Sequence, residues 1–215
     1  MTRTEIARPL PFELRGRRLR LRTLVEDDYD AWLVVRRRCQ DWLEPWEPRP
    51  AGGRRMPDDR ANFGARCLAR DRERQFATGF GFGIFVGEAF DRFAGEVNLS
   101  SIQRGPFQSG YLGYWVDRDL AGRGLVPEAV VVVLRFAFED LRLHRVQVSI
   151  IPRNRSSRRV VEKLELRDEG VALRYLEIDG RWEDHIRYAI TAEEWVERRD
   201  AYLRTWIGPG PFLPT

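Results

Sequence analysis

The 215-residue sequence is poor in the residues that usually build bridges, metal sites and membrane spans. It has two cysteines, Cys39 and Cys67, too few by themselves for a disulfide framework or a four-ligand zinc site. Its two histidines, His144 and His185, add no metal-ligand spacing. The longest apolar run, Ala129 to Leu134, is far short of the ~20 residues that cross a bilayer. Met1 to Leu10 carries no apolar h-region, so no secretory signal is expected. Lysine is all but missing: Lys163 is the only one, and every other basic residue is arginine, a pattern better explained by coding bias than by phosphate binding. The expectation is a cytoplasmic, metal-free protein with no membrane contact.

What is present is globular. The chain is 43% hydrophobic and 12% aromatic, too apolar and aromatic for disorder. Its length suits one domain, expected over residues 1–207, with a loose tail over 208–215. The net charge is +4, with a pI near 9.4. Arginines cluster at Arg15 to Arg22, Arg36 to Arg38 and Arg70 to Arg74, but Glu26, Asp27, Asp28, Asp71 and Glu73 are interleaved with them. That reads as solvated faces rather than a nucleic-acid footprint.

The hydrophobic pattern predicts a mixed α/β chain. Leu19 to Leu24 reads as a strand, Glu26 to Cys39 as a helix, Asp41 to Pro57 as an irregular Pro- and Trp-rich loop, and Asp58 to Arg72 as a second helix. Phe76 to Val86, Phe93 to Ser101 and Ser109 to Asp117 predict an antiparallel meander. Val126 to Leu141, apolar nearly all round, predicts a buried helix with Pro127 and Glu128 in its first turn. A strand at Arg145 to Ile151, a helix at Ser156 to Leu164 and strands at Val171 to Ile178 and His185 to Ile190 follow. Thr191 and Glu194 form a capping box for a last helix.

Two segments carry candidate chemistry. Between the meander and the buried helix, Gly122 and Gly124 precede a helix start, an arrangement that points backbone N–H groups at an anion. No Gly-Lys-Ser/Thr follows, and a lone Gly-x-Gly is no dinucleotide fingerprint. Downstream, Ser157, Val160, Val161 and Leu164 share one helix face, so Ser157 lies on its buried side; Asn154 is either an N-cap or a ligand contact.

Taken in order, LRLRTL at 19–24, DWLEPW at 41–46, GEVNLS at 95–100, GYWVD at 113–117, AGRGL at 121–125, FAFEDLRLHRV at 136–146, Asn154-x-x-Ser157 with VVEKL, and IDGRWEDHIRYAI at 178–190 carry a resemblance. The chain resembles the GCN5-related N-acetyltransferase (GNAT) superfamily, in its RimJ/RimL-like branch of ribosomal-protein-alanine N-acetyltransferases. The resemblance implies an α/β (α+β) fold, a twisted, mostly antiparallel seven-stranded sheet splayed at its centre and flanked by helices, with acetyl-CoA wedged in the splay. The backbone of Tyr114, Trp115, Val116 and Asp117 would meet the pantetheine arm; Leu120, Ala121, Gly122, Arg123, Gly124, Leu125 and Val126 the pyrophosphate; Asn154 and Ser157 the pantetheine and thiol end. Asp119 stands where the superfamily often has Gln or Arg, Val126-Pro127 where a hydroxyl residue is common, and Glu165 where Gly is usual.

Acetyl transfer to an amine needs an oxyanion donor, an acid for the departing thiolate and a base for the amine. The Val116 N–H is the expected donor and Ser157 the expected acid. Glu96, on a central strand and equally readable as a strand-end or surface acid, and Glu177, where the family pattern matches only loosely, are the candidate bases. Trp42 and Trp46 are either an acceptor-side wall or a packed loop. With no cysteine between Gly113 and Ser157, direct attack in a ternary complex is expected. The acceptor implied is a protein N-terminus, such as that of a ribosomal protein. Alternatives are a small-molecule amine, or a non-catalytic CoA-binding or ribosome-associated module, as monomer or homodimer.

Overall fold

The computed structural model describes residues 12–48 and 56–208, so the tip of the Pro-rich loop and the tail beyond Gly208 lie outside the described residues. Eight strands form one sheet in the order β1-β2-β3-β4-β5-β6-β8-β7. They are β1 (Glu13–Arg15), β2 (Leu19–Arg22), β3 (Phe80–Val86), β4 (Arg92–Gln103), β5 (Ser109–Val116), β6 (Arg145–Ile150), β7 (Arg167–Ile178) and β8 (Arg181–Thr191). The expected count of seven is corrected by β1. Gly16 donates its N–H to the Leu19 carbonyl (2.9 Å), folding Glu13–Arg15 back along β2 and burying Leu14. Such a short strand carries too little alternation to be read from sequence.

The helices are α1 (Tyr29–Arg38), α2 (Gln40–Leu43), α3 (Arg60–Gln75), α4 (Leu125–Arg135), α5 (Arg155–Lys163) and α6 (Ala192–Tyr202). The first expected helix splits into a 3-10 turn, Glu26–Asp28, and α1. The second starts later, because Asp59 is its N-cap and accepts the Asn62 N–H at 2.8 Å. Phe76 to Gly79 close that helix instead of opening β3. The expected Val126–Leu141 helix changes after Arg135 to a wider turn, Phe136–Asp140, which aims Glu139 at α6; Trp195 Nε1 (3.3 Å) and Arg199 Nε (2.7 Å) donate to its carboxylate. The Thr191–Glu194 capping box is present at the start of α6.

The sheet has a core on each face. On one, α4 is buried from Leu125 to Leu134 against Phe82, Ile84, Val97, Leu99 and Leu112. On the other, α1 and α3 pack Trp32, Val35 and Phe63 against Phe85, Phe93 and Trp115. Alternation along β3 to β5 assigns residues to the two faces. Burying a full apolar side chain contributes about 1.5–3 kcal/mol, so these two clusters dominate the stability of the described chain.

The arginine clusters are only partly solvated, contrary to expectation. Arg36 is buried, ion-paired with Glu47 and beside Asp58; Arg38 pairs with the buried Asp117; Arg22 makes a two-pronged bridge to Asp28 (2.6 and 2.7 Å). A planar guanidinium grips a carboxylate at two points, which makes burial of such pairs tolerable.

Candidate active site

β5 is the strand on which the site is built. Its β4 side is paired from Ser109 to Val116, but its β6 side is paired only at Ser109, Gly110 and Tyr111. Beyond Tyr111 the strands part, while β6 stays paired with β8 along its whole length. The Asp117 N–H reaches Ala94 O on β4 at 2.7 Å. Alternation along the strand therefore turns the N–H and C=O of Tyr114 and Val116 to the other edge, into the gap. An extended ligand can pair there as a missing strand would, and the Val116 N–H is free to meet an oxyanion.

The gap leads to the loop before α4. Gly124 caps that helix at φ 78°, the left-handed region open to glycine. Among the described residues, no protein oxygen accepts from the N–H groups of Gly122, Arg123, Gly124, Leu125 or Val126. These donors sit at the positive end of the α4 dipole, which suits a pyrophosphate. The loop is held from behind. Glu128, fully buried on α4, accepts the Arg18 N–H (2.6 Å) and Arg18 Nε (2.7 Å), and the same guanidinium donates to the carbonyls of Arg123 (2.9 Å) and Gly124 (3.1 Å). With its carbonyls drawn to Arg18, the loop leaves its N–H groups for a ligand. Neither Arg18 nor Glu128 stood out in the sequence, since they are 110 positions apart.

Asn154 and Ser157 close the other wall. The Asn154 side-chain oxygen caps α5 by accepting the Ser157 N–H (3.1 Å), which leaves its amide NH2 free of partners among the described residues. Ser157 is half-buried, and its hydroxyl makes no hydrogen bond among the described residues. Tyr114, expected to contribute only its backbone, donates its hydroxyl to Ser157 O at 3.0 Å and ties β5 to α5 across the gap. Burial pushes the Tyr114 pKa up, so the phenol remains a neutral donor.

The candidate bases lie apart. Glu96 is opposite Trp115, on the α1/α3 face, where Arg66 engages both carboxylate oxygens (3.0 and 3.3 Å) and Trp32 Nε1 donates to one (2.9 Å). Glu177 is opposite Trp182 in the β7–β8 hairpin, half-buried and without an ion-pair partner among the described residues. Its neighbour Ile178 bridges to Pro48, and Asp179 N–H reaches Glu47 O (3.4 Å), so this hairpin meets the Trp-rich loop. There Trp46 lies under the Arg153 guanidinium (4.9 Å), whereas Trp42 packs on the α1/α3 core.

Asp117 turns inward. Its buried carboxylate pairs with Arg38 and accepts the Asp119 N–H (3.1 Å), so it shapes the β5–loop corner from within. His144 is exposed beside Glu193 (3.2 Å), and His185 is buried, with Nδ1 2.9 Å from Glu183 O. Both cysteines are free thiols raised by burial, Cys67 to about 11, which disfavours a thiolate nucleophile. No group of three or more His, Cys, Asp or Glu among the described residues is placed to hold a metal, and no described helix is long and apolar enough to cross a membrane.

Comparison with known proteins agrees with this geometry. The family described as "Acetyltransferase (GNAT) domain" matches residues 18–167. The chain is 43% identical over 109 residues to a probable N-acetyltransferase, YjcK, of Bacillus subtilis (strain 168), covering 51% of this chain and 60% of that protein. It is 30% identical over 174 residues to the [Ribosomal protein uS5]-alanine N-acetyltransferase of Escherichia coli (strain K12), covering 80% of this chain and 88% of that one. Among solved structures it is similar to Mycobacterium smegmatis RimJ in complex with CoA-disulfide, with 31% identity, a TM-score of 0.78 and coverage of 90% and 91%. The ribosomal-protein-S5-alanine acetyltransferase of Vibrio fischeri gives 29% identity and a TM-score of 0.76, over 85% of this chain and 98% of that one. The chain belongs to the GNAT acetyltransferase family, as an acetyl-CoA-dependent acyltransferase.

Proposed function

We propose that the protein moves acetyl from acetyl-CoA to the α-amino group of a protein N-terminus, by direct attack within a ternary complex in the cytoplasm. The observation that carries this reading is the half-paired β5, whose open edge leads to the glycine loop before α4 and is tied to α5 at Ser157 by the Tyr114 hydroxyl. The thioester supplies an activated acetyl group; the chain's own residues do the rest. The Val116 N–H donates to the carbonyl oxygen as it gains charge. Ser157 Oγ–H gives its proton to the departing sulfur. Glu177 takes a proton from the acceptor's ammonium, leaving the neutral amine that attacks the thioester carbonyl; among the described residues its carboxylate has no ion-pair partner, whereas Glu96 is committed to Arg66 and Trp32. The loop between Trp42 and Pro48, facing the β7–β8 hairpin, forms the acceptor side.

The test is CoA release measured with N-terminal peptides, lysine peptides and small amines. Turnover is expected on the N-terminal peptides. Release with small amines only would reassign the acceptor, and CoA binding without release on any acceptor would make the chain a binding module. Ser157→Ala should lower turnover about 10²-fold while weakening CoA binding far less. In pH profiles, Glu177→Gln should abolish the rising acid limb and Glu96→Gln should leave it; the reverse would exchange their roles.

A further inference from the structure

The sheet face opposite α4 carries a polar cluster that the acetyl-transfer steps leave unused. Leu112, Val146, Val148, Tyr188 and Ile190 belong to the α4 core, so their neighbours along β5, β6 and β8 turn to the other face. There Tyr111 is opposite Gln147 and Ser149 is opposite Arg187, which brings three strands' side chains together where β5 and β6 part. β7 adds Tyr175, whose ring lies 5.7 Å from that of His185. Burial and the Tyr111 hydroxyl push the Tyr175 phenol up, with Arg187 and Ser149 opposing, so these groups are close neighbours.

Arg187 is the odd member of the cluster. Arg22, Arg66 and Arg145 are also half-buried, and each meets a carboxylate. Arg187 meets none among the described residues. Its Nη2 donates to the Gln147 side-chain oxygen (2.8 Å), while its Nε, like Gln147 Nε2, is buried without an acceptor. A cation drawn out of water without a counter-charge is costly, and a planar guanidinium with free N–H groups can take a carboxylate at two points. The floor beside it is open: Gly113, next after Tyr111 on this face of β5, is exposed, and a Cβ built there would meet nothing within 4 Å.

Reach decides what that carboxylate belongs to. Arg187 stands level with Gly113, three residues along β5 from Val116 and two strands across. At ~3.3 Å per residue and ~4.8 Å per strand, that is about 14 Å from Val116. An extended peptide with its amine at Val116 covers this span with the side chain of its third or fourth residue. A free amino acid is too short to do so.

We infer that Arg187 is a specificity-determining residue that binds an acidic side chain at the third or fourth position of the acceptor, so that the enzyme favours protein N-termini with an early Asp or Glu. The inference rests on the N-terminal acceptor reading. CoA release is measured on N-terminal peptides carrying Glu or Gln at the third or the fourth position. Glu should give a kcat/KM about tenfold or more above Gln at one of these positions, chiefly through KM, and the ratio should shrink as salt is raised. Arg187→Met should bring the ratio to within about twofold of unity, and Arg187→Lys, which keeps the charge but not the two-pronged fork, should retain part of it. Thermal melting of both variants controls for folding. Equal kcat/KM for Glu and Gln peptides in the unaltered enzyme, or a Glu preference that persists in folded Arg187→Met, would overturn the inference while leaving the acceptor reading intact. Turnover on small amines but on no N-terminal peptide would overturn both.

Discussion

Replacing Arg18 by alanine tests how the glycine loop before α4 is held. Arg18 is the only side chain joining β2, the Arg123 and Gly124 carbonyls and the buried Glu128 among the described residues. Removing one member of a dry ion pair costs about 3–5 kcal/mol, because the other charge is left uncompensated. Glu128 is 0% exposed but Arg18 is 46% exposed, so water screens one side of the pair. The expected loss is therefore scaled down to about 2–3 kcal/mol. For a chain of this size that lowers the melting temperature by about 4–12 °C. Adding Glu128→Gln removes the stranded charge and keeps an oxygen for the backbone N–H at position 18, so much of the stability should return. CoA affinity should not return, because the Arg123 and Gly124 carbonyls remain unanchored. Scanning calorimetry reads the first effect and titration with CoA the second. Equal melting of the single and double variants, or recovery of CoA binding in the double variant, would refute the reasoning.

Gly95 lies where β4 bulges against β3 and is opposite Val116 on β5, and a Cβ there would sit 2.2 Å from Trp115 O and 2.8 Å from Val116 Cα. Gly95→Ala should cost about 3 kcal/mol or more and move the Val116 N–H, since backbone cannot swing aside as a side chain can; a denaturation midpoint within about 1 kcal/mol of the parent would contradict this. Glu169 is held at about 2, against an ordinary 4.5, by its hydrogen bonds to Arg145, against the opposing effect of burial and with Arg167 assisting. A depressed carboxylate contributes stability that is present above its unfolded pKa and is lost as pH falls through the folded one. Denaturation of Glu169→Gln should thus differ from the parent at pH 7 and converge with it between about pH 4.5 and 2; a constant gap across that window would count against the bridge.

Much of the architecture is local and was therefore legible. The all-apolar run of α4, the Thr191–Glu194 box, the Asn154 cap with Ser157, Val161 and Leu164 on one face, and the meander of β3 to β5 all follow from patterns a few residues long. Short-range geometry sets the period and the caps before any tertiary contact forms. Element ends are less legible, because Asp59 and the Glu139 contacts with α6 decide them from outside the periodic segment.

What the fold alone decided are the pairings between distant positions. Glu96 reads in sequence as an acid on a central strand; only the packing of α1 and α3 shows that Trp32 and Arg66 occupy it. Arg18 reads as one more arginine in a basic run until twist and chain reversal carry it to Glu128. β5 looks like any aromatic strand, yet its open edge comes from losing a neighbour after Tyr111, which depends on where β6 goes. The sequence by itself determined which segments become helix or strand and which loop bears the free N–H groups, because those depend on each residue's nearest neighbours. The tertiary structure decided which charges are neutralised and which strand edge stays open, because sheet twist and helix packing bring together residues that local patterns cannot relate.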